Sequence, residues 1–466
     1  MNRREWLRLG GLAGTATLNL GSLRQSRASS REPADQAAGF GRAKSVILLV
    51  AGGGQSQIDT WDPKPDAPSE VRGEFSSIAT RIPGARFCEH LPLTAQIADR
   101  LCVVRSMSHE DLDHGSAMYL TLTGRYHRKR SANPAPAADD LPCLGAALTR
   151  VRPTEDFVQT AVHINGPVLA PIEPAAGQYA GLLGPNYAPL SLDDVSTDRL
   201  AIPGLQPLSE LSAVRLDERS QLRRQLDQRL LQLDQSRRLR DAETAYERAF
   251  DMLGRPESRL AFDLGRERPE LREAYGRNRT GQSCLLARRL VEAGCPLVTV
   301  FLNHTVRGQD LAAEVEDEWG WDTHNDIFDG LSRWLLPRFD RAYSTLISDM
   351  ASRGLLEETL VVCLGEFGRA PLVALEKRFT GASPGRKHWG AVYSIVFAGA
   401  GVRPGTIVGA SDAQGGYPVT AAYGPWDTLA TIFSALGVDP QSEYHDPAGR
   451  PYRLSDGRVI EPLYRG

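Results

Sequence analysis

The chain has 466 residues, 41 % hydrophobic and 24 % charged, which excludes a mainly disordered polymer. Its 54 Lys and Arg against 57 Asp and Glu leave a net charge of −3, so no basic excess points to nucleic acid. With 44 glycines and 30 prolines, a large core carrying many long loops is expected.

Residues 1–30 read as an export address. Arg3 and Arg4 precede a weakly apolar stretch from Leu7 to Gly21, and Ser26-Arg27-Ala28-Ser29 offers a small-residue cleavage site. A charged start, a short apolar run and a small-residue end make a secretory signal, and the twin Arg favours the twin-arginine route. That export machinery is therefore an expected partner, and the mature chain is expected in the periplasm or outside the cell. No later segment has the ~18 uninterrupted apolar residues of an integral membrane span. Residues 31–44 are small and polar and read as a linker.

Ser45 to Ala51 is a continuous apolar run ended by Gly52-Gly53-Gly54, the pattern of a buried parallel strand leaving onto a loop. Leu101 to Arg105 reads as a second strand, Ser116 to Thr123 as a helix and Val158 to Ile164 as a third strand. A Pro/Gly-rich loop is expected over 166–208. Leu222, Leu226, Leu230 and Leu233 mark a long amphipathic helix within 210–253, stopped at Gly254 and Pro256. It reads as part of a helical insertion at about 209–290, with a coiled-coil seam as the alternative. Strands follow at Leu297–Leu302, Leu360–Leu364 and Tyr393–Ala398, with helices at Phe328–Arg353 and Thr428–Phe433, the latter ending at Gly437. The alternation predicts an α/β fold: one domain over 45–466, with a mostly parallel central sheet and helices on both faces. The six cysteines show no CxxC pairing, and Cys102 and Cys363 lie inside apolar runs as small hydrophobes.

Polar residues gather where these strands end. Asp59 and Asp62 follow the first strand, and His109, Asp113, His114 and Ser116 follow the second. Asp322, His324 and Asp326 follow 297–302, Glu366 and Arg369 follow 360–364, and His388 comes just before 393–398. In parallel sheets the chemistry sits at the carboxyl ends of the strands. His nitrogen and carboxylate oxygen suit zinc, manganese or a similar divalent ion. Such an ion activates water or clamps an ester oxyanion. The spacing matches neither the HExxH helix nor a CxxC frame. Purely local roles stay open: Asp59 capping the turn at Pro63, Asp113 capping the next helix, Glu366 and Arg369 pairing on the surface.

Ile58-Asp59-Thr60-Trp61-Asp62-Pro63-Lys64, Asp113-His114-Gly115-Ser116-Ala117, Leu122-Thr123-Gly124-Arg125-Tyr126-His127, Trp321-Asp322-Thr323-His324, Gly365-Glu366-Phe367-Gly368-Arg369 and His388-Trp389 together resemble the domain of unknown function 1501 family, from about residue 45 to the end. The resemblance implies twin-arginine export and a place in the alkaline phosphatase and sulfatase superfamily. That superfamily implies two metals beside a nucleophile acting on phosphate or sulfate esters. Aligned on Thr123-Gly124-Arg125, His114 stands where a sulfatase has its formylglycine cysteine and a phosphatase its serine. Ser116 and Met118 replace that motif's Pro and Arg, so a formylglycine mechanism is not expected. Gly52 stands where the first liganding Asp is usual, with Asp59 as a substitute from the loop. The usual Asp-His pair appears as Glu366-Phe367, while Asp322, His324 and His388 resemble retained ligands.

The expected function is an exported, metal-dependent hydrolase of sulfate or phosphate esters, acting on a small-molecule or glycan ester. It would use one or two divalent ions (zinc, manganese or calcium) on Asp322, His324, His388, Glu366 and Asp59. His114 would serve as nucleophile or further ligand, His109 and Asp113 as orienters or general acids. Arg369 and Ser116 would bind substrate. The alternative is a non-catalytic module that binds an anionic glycan or a partner protein.

Overall fold

Every residue of Ser45–Val50 (β1) is buried, and alternate side chains enter two separate cores. Ile47 and Leu49 join one, Val46, Leu48 and Val50 the other. A strand so placed must be central with both faces covered, which is why it reads as unbroken apolar sequence. The computed structural model describes residues 37–196, 260–308 and 319–465. Residues 1–36, with the expected signal, and the whole of the expected amphipathic helix at 210–253 lie outside the described residues.

The main sheet adds β2 (Cys102–Met107), β3 (Ala161–Ile164), β4 (Leu190–Leu192), β5 (Leu297–Phe301) and β6 (Thr359–Leu364). A short ribbon, β7 (Gly368–Arg369) with β8 (His388–Trp389), precedes β9 (Tyr393–Ala398) and β10 (Thr406–Val408). The order across the sheet is β10-β2-β9-β6-β1-β5-β3-β4. Neighbours run parallel except β9, which lies antiparallel between β2 and β6. The sheet is therefore mostly parallel, as expected. β4 falls inside the expected 166–208 loop, because a three-residue edge strand carries too little periodicity to read.

One face is covered by α1 (His114–Thr123), α2 (Leu144–Val151) and α5 (Pro425–Ala435), the other by α3 (Arg279–Glu292) and α4 (Leu336–Ser352). The end of the expected insertion is thus core: Cys284, Leu285, Leu286 and Leu290 of α3 are buried against the sheet. The helix expected over 328–353 is interrupted by a wide turn at Leu331–Leu335 before α4. Pro337 lacks the N–H an unbroken helix would need there. Residues 37–44, expected as linker, are held instead: Gly41 and Ala43 donate to Ser434 and Ala435 carbonyls at 2.9 and 2.8 Å.

All six cysteines are buried and unpaired. Burial pushes the thiols up, Cys143 to about 11 and Cys284 to about 12. An aromatic disulfide reagent should therefore titrate no thiol in the native protein and all six after denaturation. A thiol that reacts at once in the native state would contradict this packing.

Candidate metal centre

β1, β2, β5 and β6 share one orientation, so their carboxyl ends lie on one edge. The antiparallel β9 starts on that edge, with Tyr393 opposite Met107, which returns β8 and His388 to it. His114 opens α1 after β2, Asp322 and His324 follow β5, and Glu366 comes straight after β6. Five residues from four segments far apart in sequence meet here for that reason.

The meeting point is one carboxylate oxygen. Asp322 Oδ1 lies 3.2 Å from His114 Nε2, 3.2 Å from His324 Nε2 and 3.1 Å from His388 Nε2. His324 Nε2 and His388 Nε2 are 2.9 Å apart. Each imidazole has its other nitrogen on an outer oxygen: His114 Nδ1 on Glu366 Oε1 at 2.6 Å, His324 Nδ1 on Glu376 Oε1 at 2.9 Å, His388 Nδ1 on the Leu112 carbonyl at 2.6 Å. Those acceptors favour a proton on each Nδ1 and a lone pair on each Nε2. An ion that displaced the second proton of His114 would then meet three lone pairs and an anionic oxygen. His114 Nε2 is fully buried and makes no well-aligned hydrogen bond.

This donor set fits a divalent ion. Ligand atoms on a tetrahedral centre with ~2.0–2.1 Å bonds sit about 3.3 Å apart, close to the 3.2, 3.2 and 3.1 Å that separate Asp322 Oδ1 from the three imidazoles. Among the described residues, His114, Asp322 and His388 form the one cluster of at least three such side chains with mutually close ligand atoms. Arg369 Nη2 lies 2.7 Å from Asp322 Oδ1 and supplies standing countercharge.

The cluster's charges follow from these contacts. Burial disfavours a charged His114, but Asp322 and Glu366 outweigh it and raise the imidazole to about 9. Burial, reinforced by Arg369, holds His324 down at about 4. Burial and the neighbouring His114 charge lower His388. Burial by itself would raise Asp322, yet His114 and Arg369 keep it well below the usual carboxylate range.

Other expected residues fall elsewhere or act indirectly. Asp59 is not brought to the cluster; its carboxylate pairs with Arg386 Nε and Nη2 at 2.7 and 3.0 Å. Arg369 is fully buried, and its fork faces Asp322 and the Gly53, Gly54, Trp321 and Arg386 carbonyls rather than solvent. Ser116 Oγ donates to Asp111 Oδ1 at 2.6 Å. His109 donates from Nε2 to the Glu366 carbonyl at 2.6 Å and accepts at Nδ1 from the Asp111 N–H. Asp113 stands at the N-terminus of α1 without a side-chain capping bond and accepts from Asn133 Nδ2 at 2.8 Å. Sequence reasoning missed Glu376 and Phe379, whose ring stacks on His324 with centroids 3.8 Å apart. Both lie in a polar segment without periodicity or motif, so no sequence signal marks them.

Two predictions follow from this geometry. A Cβ on Gly53 (φ +112°) would lie 2.4 Å from the Asp322 amide nitrogen and 2.6 Å from that of Trp321. Gly53→Ala should cost roughly 1–3 kcal/mol from backbone strain alone and displace Asp322, read by thermal melting and metal uptake. In the metal-free protein, His114 stabilises the fold fully below its ordinary value near 6.5, and that stability is lost as pH rises through about 9. His324, His388 and the buried His163 act oppositely, because the unfolded imidazoles take protons that the folded ones refuse as pH falls below 6.5. The melting temperature should peak near neutrality, and His114→Gln should flatten its alkaline decline; an unchanged decline would remove His114 as the proton carrier.

Solved structures similar to this chain include Ps i-CgsB, at 12 % identity over 92 % of this chain and 76 % of that one, TM-score 0.41. Alkaline phosphatase from the Antarctic bacterium TAB5 is 13 % identical over 84 % of this chain and 98 % of its own, TM-score 0.35. A phosphonate monoester hydrolase from Silicibacter pomeroyi is 12 % identical over 90 % and 76 %, TM-score 0.38. No curated protein matches the chain. The family described as protein of unknown function, DUF1501, matches residues 43–464, and the chain belongs to that family.

Proposed function

We propose that this chain is an exported, metal-dependent hydrolase of sulfate or phosphate esters that works without formylglycine. The observation that carries this reading is the convergence of three imidazole Nε2 atoms on one buried carboxylate oxygen. In this reading His114, His324, His388 and Asp322 hold a divalent ion, and the nitrogen-rich set favours zinc over calcium. Such an ion supplies a Lewis acid for an ester oxygen and lowers the pKa of water.

The chain's own residues do the rest. Glu366, Glu376 and the Leu112 carbonyl hold the Nδ1 protons, which keeps the Nε2 lone pairs directed inward. The His388 side chain is 17 % exposed, against 4 % and 3 % for His114 and His324, so an ester approaches past His388. We place His114 among the ligands rather than as attacking nucleophile, because its Nε2 is directed at Asp322. Asp113, half-buried one residue before His114, remains the candidate proton donor. Export rests on Arg3, Arg4 and the apolar run behind them, with the twin-arginine machinery as partner. No helix among the described residues is long and apolar enough to cross a membrane.

The test is elemental mass spectrometry on purified protein beside a His324→Ala, His388→Ala double variant, with aryl sulfate and aryl phosphate as substrates. About one equivalent of divalent metal is expected, lost in the variant, together with turnover that a chelator abolishes. Protein that holds no ion and takes up none on titration would be a non-catalytic module instead.

A further inference from the structure

Glu366 was expected among the ligands of one or two ions, yet its carboxylate is already surrounded by hydrogen-bond donors. Its carboxylate accepts from the Gly53 N–H at 2.9 and 3.1 Å, from the Gly54 N–H at 3.3 Å and from His114 Nδ1 at 2.6 Å. A carboxylate offers about four lone-pair sites, and three donors already converge on them, the Gly53 N–H being shared between both oxygens. The groups facing it are donors, which repel a cation. On the neighbouring side stands the fully buried Phe367, whose ring lies 5.0 Å from that of His114 and 4.8 Å from that of His388. A Cβ on Gly54 would already lie 2.6 Å from the Phe367 ring and 3.3 Å from Arg369 Nε. Asp59, the loop carboxylate also expected as a ligand, is held by Arg386. His109 fixes the Glu366 backbone from behind through its carbonyl.

We propose that Glu366 is a positioning residue rather than a ligand, and that the site takes a single ion. Glu366 holds the His114 Nδ1 proton, which presents Nε2 to the centre, and with the Gly53 and Gly54 amides and Phe367 it fills the space of a second ion. This rests on the metal reading above.

The experiment is calorimetric titration of the metal-free full chain with zinc, repeated on Glu366→Gln and Glu366→Asp. Wild type is expected to take one equivalent. Glu366→Gln should keep that stoichiometry and bind roughly 10- to 100-fold more weakly, since an amide has one acceptor oxygen where the carboxylate has two. Glu366→Asp should recover part of the loss. Nitrogen-15 NMR of the zinc-loaded protein should show His114 as the Nδ1–H tautomer, with its Nδ1 resonance moved toward a weaker hydrogen bond in Glu366→Gln. Two equivalents in wild type, falling to one in Glu366→Gln, would make Glu366 a ligand and overturn this proposal while leaving the metal reading intact. Unchanged affinity and an unchanged His114 Nδ1 resonance in Glu366→Gln would overturn the positioning role. No zinc uptake by wild type would remove the metal reading itself. Should Glu366→Gln not fold, wild-type stoichiometry still decides the single-ion limit, and the His114 Nδ1 resonance and zinc affinity of Glu366→Asp decide the positioning role.

Discussion

A buried carboxylate oxygen ringed by three imidazoles and a guanidinium sets the terms for its surroundings. Burying Asp322 is unfavourable unless its charge is met. Arg369 meets it at 2.7 Å, and the same guanidinium binds carbonyls on the loops after β1 and β5 and on the Arg386 segment. One buried cation thus cross-links the loops that present the cluster. The compensation for Asp322 and the placement of those loops are the same contacts. In the Gly52-Gly53-Gly54 loop, Gly53 has no room for a side chain because it lies directly against residues 321 and 322, and Gly54 because it lies against the Phe367 ring, while the Trp321 N–H sits on the Gly52 carbonyl at 2.9 Å.

The outer oxygens form a second ring with a graded character. Glu366 is rigidly engaged from below by glycine amides and by His109. Glu376 arrives on a strap over 376–383 that is itself tied down by the residues after His324. Asn325 Nδ2 donates to the carbonyls of Glu376, Phe379 and Thr380, and Asp326 accepts from the Ala382 and Ser383 amides. His324, Asn325 and Asp326 therefore act in sequence: one faces the centre, and the next two clamp the strap that orients it. Phe379, stacked on His324, excludes water from that imidazole.

The antiparallel β9 is the topological feature that completes the cluster. A parallel strand there would send residue 388 to the opposite edge of the sheet. Because β9 starts on the same edge where β2 and β6 end, the ribbon before it brings His388 over the sheet beside Arg369.

The apolar runs of β1, β5, β6 and β9 were legible in the sequence because a strand buried on both faces must be apolar throughout. The residue types of the centre were legible too: His114, Asp322, His324, Glu366 and His388 stand at strand ends, where this architecture places its chemistry. What each residue does there was decided only in three dimensions. Asp59 and Arg369 look as available in the chain as Asp322, yet each is held by a buried partner distant in sequence. Glu376 carries no local mark at all and reaches His324 because Asn325 folds its strap inward. Sequence alone determines burial along one strand, since that depends on residue type. The roles of buried charges depend on which opposite charges and lone pairs the tertiary structure sets against them.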